Sequence, residues 1–307
     1  MNNLFKKINN YEITYRNWIV VLVKVALKRE ANGVMRDGTI IRGSHLTIQM
    51  KELVSAGFDP KYNNKDDEII FRYNKGIVPP DTLERLSENN YELQNEDNLY
   101  VKIKGVSLNG DLVGIFVNED YHFDYKGKDV IDVGMNIGDS AIYFCIRGAN
   151  KVVGVEPFPM VYNLAETNVR NNGLNNKVIT LNAGISSKCD SMKISPSVVD
   201  SIDRLAVSND GGIEIPLYTL DYIIEHYNLN RILLKMDCEG CEYEAFKNIK
   251  DSNLLKIDSF IMEYHHGYQS LKNFFSSKGY YTETYETIKH KSPQGTQNIG
   301  YLRAWRD

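Results

Sequence analysis

Short aliphatic and β-branched runs, several ending in glycine or an acidic residue and followed by residues at helical spacing, fill the second half of the chain. Val130–Val133 runs into glycines and then a helical stretch around Ala141–Arg147. Lys151–Val155 ends at Glu156 and precedes a helix over Met160–Asn171, which Gly173 stops. Val178–Leu181, Arg231–Met236 and Ser259–Tyr264 read as further strands, with helices over Glu242–Ile249 and Ser270–Lys278. The alternation predicts an α/β fold, a doubly wound, Rossmann-like and mostly parallel sheet with helices on both faces. The tail, Tyr280–Ile288 and Thr296–Trp305, reads as an antiparallel pair closing one edge. Ligands of such sheets bind beyond the carboxyl ends of the strands.

Upstream the pattern is broken. Short apolar runs alternate with polar stretches such as Tyr62-Asn-Asn-Lys-Asp-Asp-Glu68, and Pro79-Pro80 marks a loop. Period-two alternation from Leu99, the turn signal Asn109-Gly110 and a return over Leu112–Val117 predict a hairpin. The expected division is therefore an N-terminal mixed α/β extension, 1–98, and a ligand-binding domain, 99–307, with a lead-in hairpin at 99–120. The extension would serve as an accessory cap or an oligomerisation region, which makes a homodimer through it the expected assembly. The apolar run Trp18–Val23 meets Lys24, Lys28 and Arg29 and is far shorter than the ~20 residues a membrane span needs. A helix facing the core or a second subunit is expected there, with a membrane-surface helix as the alternative.

Charge and cysteine content narrow the partners. With 36 Lys+Arg against 40 Asp+Glu the net charge is −4, which disfavours nucleic acid as the main partner. Four cysteines are too few for a disulfide framework, so a reducing, cytoplasmic setting is expected. No span or targeting segment is read.

The segment richest in chemistry is Val130-Ile-Asp132-Val-Gly134-Met-Asn136-Ile-Gly138-Asp139-Ser140, a strand, a glycine turn and a helix start. A P-loop would need Gly-Lys-Ser/Thr, and here Asp139 follows Gly138. A dinucleotide fingerprint would place glycines where Asn136 and Asp139 stand. The carboxylates of Asp132 and Asp139 would repel a pyrophosphate, so the expected ligand is a nucleoside with a cationic tail. S-adenosylmethionine, with a sulfonium, an ammonium and no phosphate, meets that description. Glu156, at the end of the next strand, stands where a carboxylate accepts hydrogen bonds from ribose hydroxyls.

Taken in order, Asp132-x-Gly-x-Asn-x-Gly138-Asp, Val155-Glu-Pro157, Thr219-Leu-Asp221, Leu234-Lys-Met-Asp237-Cys-Glu-Gly240-Cys-Glu242 and Met262-Glu-Tyr-His265 resemble the FkbM-type S-adenosylmethionine-dependent methyltransferases over roughly Leu112–Trp305. The resemblance implies a seven-stranded class I methyltransferase sheet and methyl transfer, usually to a hydroxyl oxygen of a small molecule or sugar. It also implies that Asp132, Gly134, Asn136, Gly138 and Ser140 cradle the methionine end. Glu156 would hold the ribose, Pro157 and Phe158 would flank the adenine, and Asn182 and Ala183 would lie at its edge.

Asp237, at the end of the fourth strand, is expected to work with Glu239 on the acceptor and to contribute to the cofactor site, while Glu242 reads as a helix-start charge. His265, at the end of the fifth strand, is the expected general base. No metal set is assigned, with magnesium on Asp237, Glu239 and His265 as an alternative. Cys238-x-x-Cys241 lacks the second ligand pair a zinc site needs. Two other readings remain: an RNA 2′-O-methyltransferase using Lys235 and Asp237, and a catalytically silent binding or oligomerisation module. Acceptor specificity is expected in the first hundred residues and in Lys188–Gly212, loops being where a fixed scaffold varies its chemistry.

Overall fold

The computed structural model describes residues 2–73, 99–194, 212–292 and 295–306. The chain divides into two compact units, residues 1–124 with 167–173, and residues 125–166 with 174–307.

The first unit contains helices α1 (Asn2–Thr14), α2 (Trp18–Ala26) and α3 (Ser44–Ser55), and a two-stranded ribbon of β1 (Gly33–Val34) and β2 (Ile40–Ile41). An antiparallel sheet follows in the order β3 (Lys61–Asn63), β4 (Glu68–Tyr73), β5 (Leu99–Lys104). Phe58, Phe71, Tyr73 and Phe116 pack edge-on or stacked, with centroids 5.1–6.3 Å apart, and form its aromatic core.

The lead-in hairpin expected at 99–120 does not form. β5 pairs with β4 instead, Glu68 opposite Lys104. Gly105, at φ 78°, turns the chain out of the strand into the short helix α4 (Val106–Asn109), and Val113–Val117 winds as a π-helical turn. The other edge of β5 is satisfied by side-chain amides. Asn168 accepts the Lys104 N–H at 2.8 Å and donates to its carbonyl at 3.0 Å, and Asn172 does the same for Lys102 at 3.0 and 2.7 Å. Four helical residues rise about 6 Å and two strand residues about 6.7 Å, so the two asparagines match the strand repeat. Residues 99–124 thus group with the first unit, and the boundary falls later than the 98/99 expected from the sequence. Pro79-Pro80 lies outside the described residues.

The second unit is built on the alternating segments. In chain order they are β6 (Asp129–Val133), α5 (Asp139–Ile146), β7 (Lys151–Val155), α6 (Pro159–Asn171), β8 (Val178–Leu181), β9 (Gly184–Ile185), β10 (Asp190–Ile194) and β11 (Ile213–Tyr218). There follow α7 (Leu220–His226), β12 (Ile232–Met236), α8 (Asp251–Leu254), β13 (Ile257–Tyr264), α9 (Gln269–Ser277), β14 (Tyr281–Ser292) and β15 (Gly295–Trp305).

Seven strands form one sheet in the order β14-β15-β13-β12-β6-β7-β8, parallel from β13 to β8, with β14 and β15 antiparallel. This is the doubly wound α/β sheet with the closing antiparallel pair read from the sequence. Every residue of β6 and β12 is buried, which is why these strands read as unbroken apolar runs. The chain leaves β6 on one side and β12 on the other, so the junction of these two strands is the switch point of the sheet.

One local expectation fails and another holds in part. Glu242–Ile249 is not a helix: only Cys241–Tyr243 makes a 3-10 turn. The Trp18–Val23 run is helical and turns only one face inward: Val21 is buried and Trp18, Leu22 and Val25 are half-buried, while Ile19, Val20 and Val23 are exposed.

Candidate functional site

The register of β6 against β12 sets Asp132 directly beside Lys235. Both are buried, and Lys235 Nζ lies 3.0 Å from Asp132 Oδ1. The other Asp132 oxygen accepts the Ser140 hydroxyl at 2.6 Å, and Lys235 also donates to the Gly134 carbonyl at 2.6 Å. Burial alone would lower the Lys235 pKa, but the charges of Asp132 and Asp237 overcome this and raise it. Asp132 and Ser140 therefore anchor the turn from within. Lys235, expected above only as a member of the alternative RNA 2′-O-methyltransferase set, is the cation that lets Asp132 be fully buried.

The turn is fitted tightly. Gly134 has φ 73°, and a Cβ there would collide with the carbonyl oxygen of Asp237. Its backbone thereby lies against the end of β12, where the acceptor chemistry is expected. Asn136 adopts φ 50°, and its N–H reaches Glu156 Oε2 at 3.1 Å. Gly138, at φ 85°, starts α5 against Ala165.

Glu156 is buried at the end of β7, and its second oxygen accepts the Phe158 N–H at 2.9 Å. Burial pushes its pKa up to about 7 against the opposing pull of the Phe158 and Asn136 N–H groups. Asn182 donates to the carbonyls of Glu156 and Pro157 at 2.9 and 3.0 Å, which fixes the loop carrying Pro157 and Phe158. Ala183 is fully buried beside it in the chain. The structure thus gives Asn182 a positioning duty, the turn role its residue type allows.

A second cluster forms beyond β12 and β13. Asp237 Oδ, Glu239 Oε and the His265 ring offer donor atoms within 4.8 Å of one another, chemistry that suits proton handling and would also suit a divalent cation. His265 is buried, with Nδ1 3.1 Å from Glu242 Oε1 and Nε2 3.3 Å from Glu239 Oε2. Glu242 is fully buried, and the same oxygen accepts the N–H groups of Cys238 and Gly240 at 3.2 and 3.3 Å. What read as a helix-start charge is the post that holds the turn and the imidazole together. Glu239 sits at φ 57° and Gly240 at φ 119°, a left-handed pair that folds the Glu239 side chain back toward His265. The Tyr243 hydroxyl donates to the Gly267 carbonyl at 2.7 Å and accepts the His266 N–H at 2.9 Å, which ties down the loop after His265.

Electrostatics revises one expected role. Burial by itself would depress the His265 pKa, but the hydrogen bond to Glu242 and the charges of Glu242, Glu239 and Asp237 raise it to about 9. An imidazole so held is protonated at neutral pH and is a poor general base there. Glu263, absent from the residues expected for the site, enters it. Burial and the neighbouring Asp237, to which it hydrogen-bonds, raise its pKa to about 8. Its signal in the sequence is the strand period, which puts it on the same face as His265.

Cys238 and Cys241 are joined by a disulfide, which corrects the expectation of unpaired thiols, while Cys145 and Cys189 are free. The bridge spans the turn between Asp237 and Glu242, where a four-residue loop brings the two chains of the turn close enough to join. Among the described residues no helix is long and apolar enough to cross a membrane.

No curated protein matches the chain significantly in sequence. Similar solved structures include M. capricolum TrmK in complex with S-adenosyl-homocysteine, 12% identical with a TM-score of 0.38, covering 62% of this chain and 67% of that one. Precorrin-6y C5,15-methyltransferase from Geobacter metallireducens GS-15 is 11% identical with a TM-score of 0.33, over 59% and 82% of the two chains. P. horikoshii TYW2 in complex with MeSAdo is 14% identical with a TM-score of 0.38, over 69% and 70%. The family model of the methyltransferase FkbM domain matches residues 132–287, just over half of the chain. Because that segment begins at the buried Asp132 and runs past His265, taking in both the glycine turn and the acidic cluster, the chain belongs to the FkbM family and is an S-adenosylmethionine-dependent methyltransferase.

Proposed function

We propose that the acceptor is a hydroxyl oxygen of a small molecule or sugar, handled by Asp237, Glu239, Glu263 and His265. The observation that carries this reading is the cluster of carboxylates around one imidazole, set against the Gly134 turn by the close approach of Gly134 to Asp237. The cradle suits a nucleoside with a cationic tail. Gly134 leaves no room for a side chain, Glu156 presents a buried carboxylate at the end of β7, and Lys235, which donates to the Gly134 carbonyl, is engaged by Asp132. In this reading Glu156 holds the ribose hydroxyls, Pro157 and Phe158 border the base, and the 134–138 turn lies along the amino-acid end.

When bound, S-adenosylmethionine supplies a methyl group already activated by its sulfonium. An alcohol is a weak nucleophile, so the protein has to align it and remove its proton. Glu263, whose pKa is raised to about 8, is suited to take that proton once ionised at mildly alkaline pH, and the His265 cation, held by Glu242 on one ring nitrogen, keeps Glu239 in place with the other. With the donor bound, the oxygen lone pair would form the C–O bond while the donor's C–S bond electrons went to sulfur, and the proton would end on the Asp237 and Glu263 carboxylates.

The test is turnover with methyl-labelled donor over a panel of sugars, phenols and nucleosides, followed by mass spectrometry of the product. A base-stable methyl ether is expected. Label found only on nitrogen, or only on RNA, would contradict the reading.

A divalent cation on Asp237, Glu239 and His265 is the second reading, favoured by the convergence of their donor atoms. It requires turnover to vanish in chelator and return with magnesium, whereas the proton-transfer reading requires turnover to persist.

A further inference from the structure

Helix α2 is made almost wholly of apolar residues, yet its side chains are largely open to solvent. Ile19 is 59% exposed, Val20 52% and Val23 49%, and Leu27, just past its end, 58%. At 100° per residue these four fall within an arc of about 100°, opposite Val21, the one buried residue of the helix. The segment from Arg16 to Arg29 carries four cations, Arg16, Lys24, Lys28 and Arg29, all exposed, and no Asp or Glu. Three of the four gather at the carboxyl end of the stripe.

We propose that α2 docks the protein on an anionic lipid surface, its apolar stripe entering the boundary between headgroups and acyl chains while Lys24, Lys28 and Arg29 meet lipid phosphates. The charge pattern selects this occupant. If α2 packed on α2 of a second copy, in either direction, cations would face cations, since the segment holds no acid to answer them. Four half-exposed aliphatic side chains also offer only a few hundred Å², against about 800 Å² per partner in a stable protein interface. A shallow lipid contact needs neither a large area nor opposite charge on the protein. The proposal stands apart from the methyl-acceptor reading, because none of the residues named for that reading belongs to α2.

The experiment is flotation of the full chain with phosphatidylcholine vesicles, with and without phosphatidylglycerol, at about 0.1 M salt. Expected is at least about tenfold more protein on the anionic vesicles, falling as salt is raised. Val20→Asp with Val23→Asp should abolish binding. These positions are half-exposed, so the fold and S-adenosylhomocysteine binding should be retained. Lys24→Glu with Lys28→Glu, which leaves the stripe intact, should lower binding about tenfold or more. Equal retention on neutral and anionic vesicles, or none on either, would overturn the proposal. A dimer in sedimentation that Val23→Asp dissociates, without vesicle binding, would assign the face to a second copy.

Discussion

Glu263 and His265 illustrate how neighbouring charges redistribute roles within one site. Flanking carboxylates raise the His265 pKa to about 9, and burial beside Asp237 raises that of Glu263 to about 8. With a carboxylate as proton acceptor, the active form appears as pH rises through about 8 and is lost as His265 deprotonates above about 9. A narrow optimum between these values is expected in kcat/KM. Glu263→Gln should remove the acid limb and cost about 10²-fold in kcat. His265→Gln should remove the alkaline limb. An unchanged pH profile in the first variant would show that Glu263 takes no part.

At the scale of elements, the pairing of β6 with β12 carries the site. Lys235→Met leaves Asp132 buried without its cation and should destabilise the chain by about 3–5 kcal/mol in urea unfolding. Adding Asp132→Asn should recover part of that loss, because the pair is then no longer half-broken. If Lys235→Met were neutral, the buried pair would not be what holds the turn.

The central parallel strands β6, β7 and β12 were legible because they are buried almost throughout on both faces and so read as solid apolar runs, while β8, at the sheet edge, is mostly half-buried. The glycine turn was legible because its spacing admits few ligands. The hairpin at 99–120 was not, since β5 alternates correctly for a strand but its partner β4 lies far back in the chain, and Gly105 ends the strand in a left-handed turn. Glu242–Ile249 has helical spacing, yet Glu242 is turned inward to bind two backbone N–H groups and His265, and that turn leaves only a 3-10 segment. A surface-helix acid and a buried post look alike in one sequence. Glu263 was hidden for a related reason: an acid inside an apolar strand announces itself only once its neighbours across the sheet are known.

For the molecule as a whole, the methyltransferase fold and both clusters belong to the second unit, while the first brings its own aromatic core and the exposed α2. Binding at the site should stabilise the unit that contains it. At a hundredfold excess over its dissociation constant, S-adenosylhomocysteine should add about 2.7 kcal/mol and raise the melting temperature by about 4–8 °C. A melting curve that ignores the ligand while a nucleoside triphosphate shifts it would point to a different ligand class.

The most direct measurement is a calorimetric titration of S-adenosylhomocysteine into the full chain at several pH values. The ribose-binding role of Glu156 needs its carboxylate ionised, and burial holds that group near pH 7. One site per chain is predicted, with affinity about tenfold weaker at pH 6 than at pH 8, and with that pH dependence abolished in Glu156→Gln. Heat of binding that is absent at every pH, or equal at all of them in the unsubstituted chain, would contradict the account.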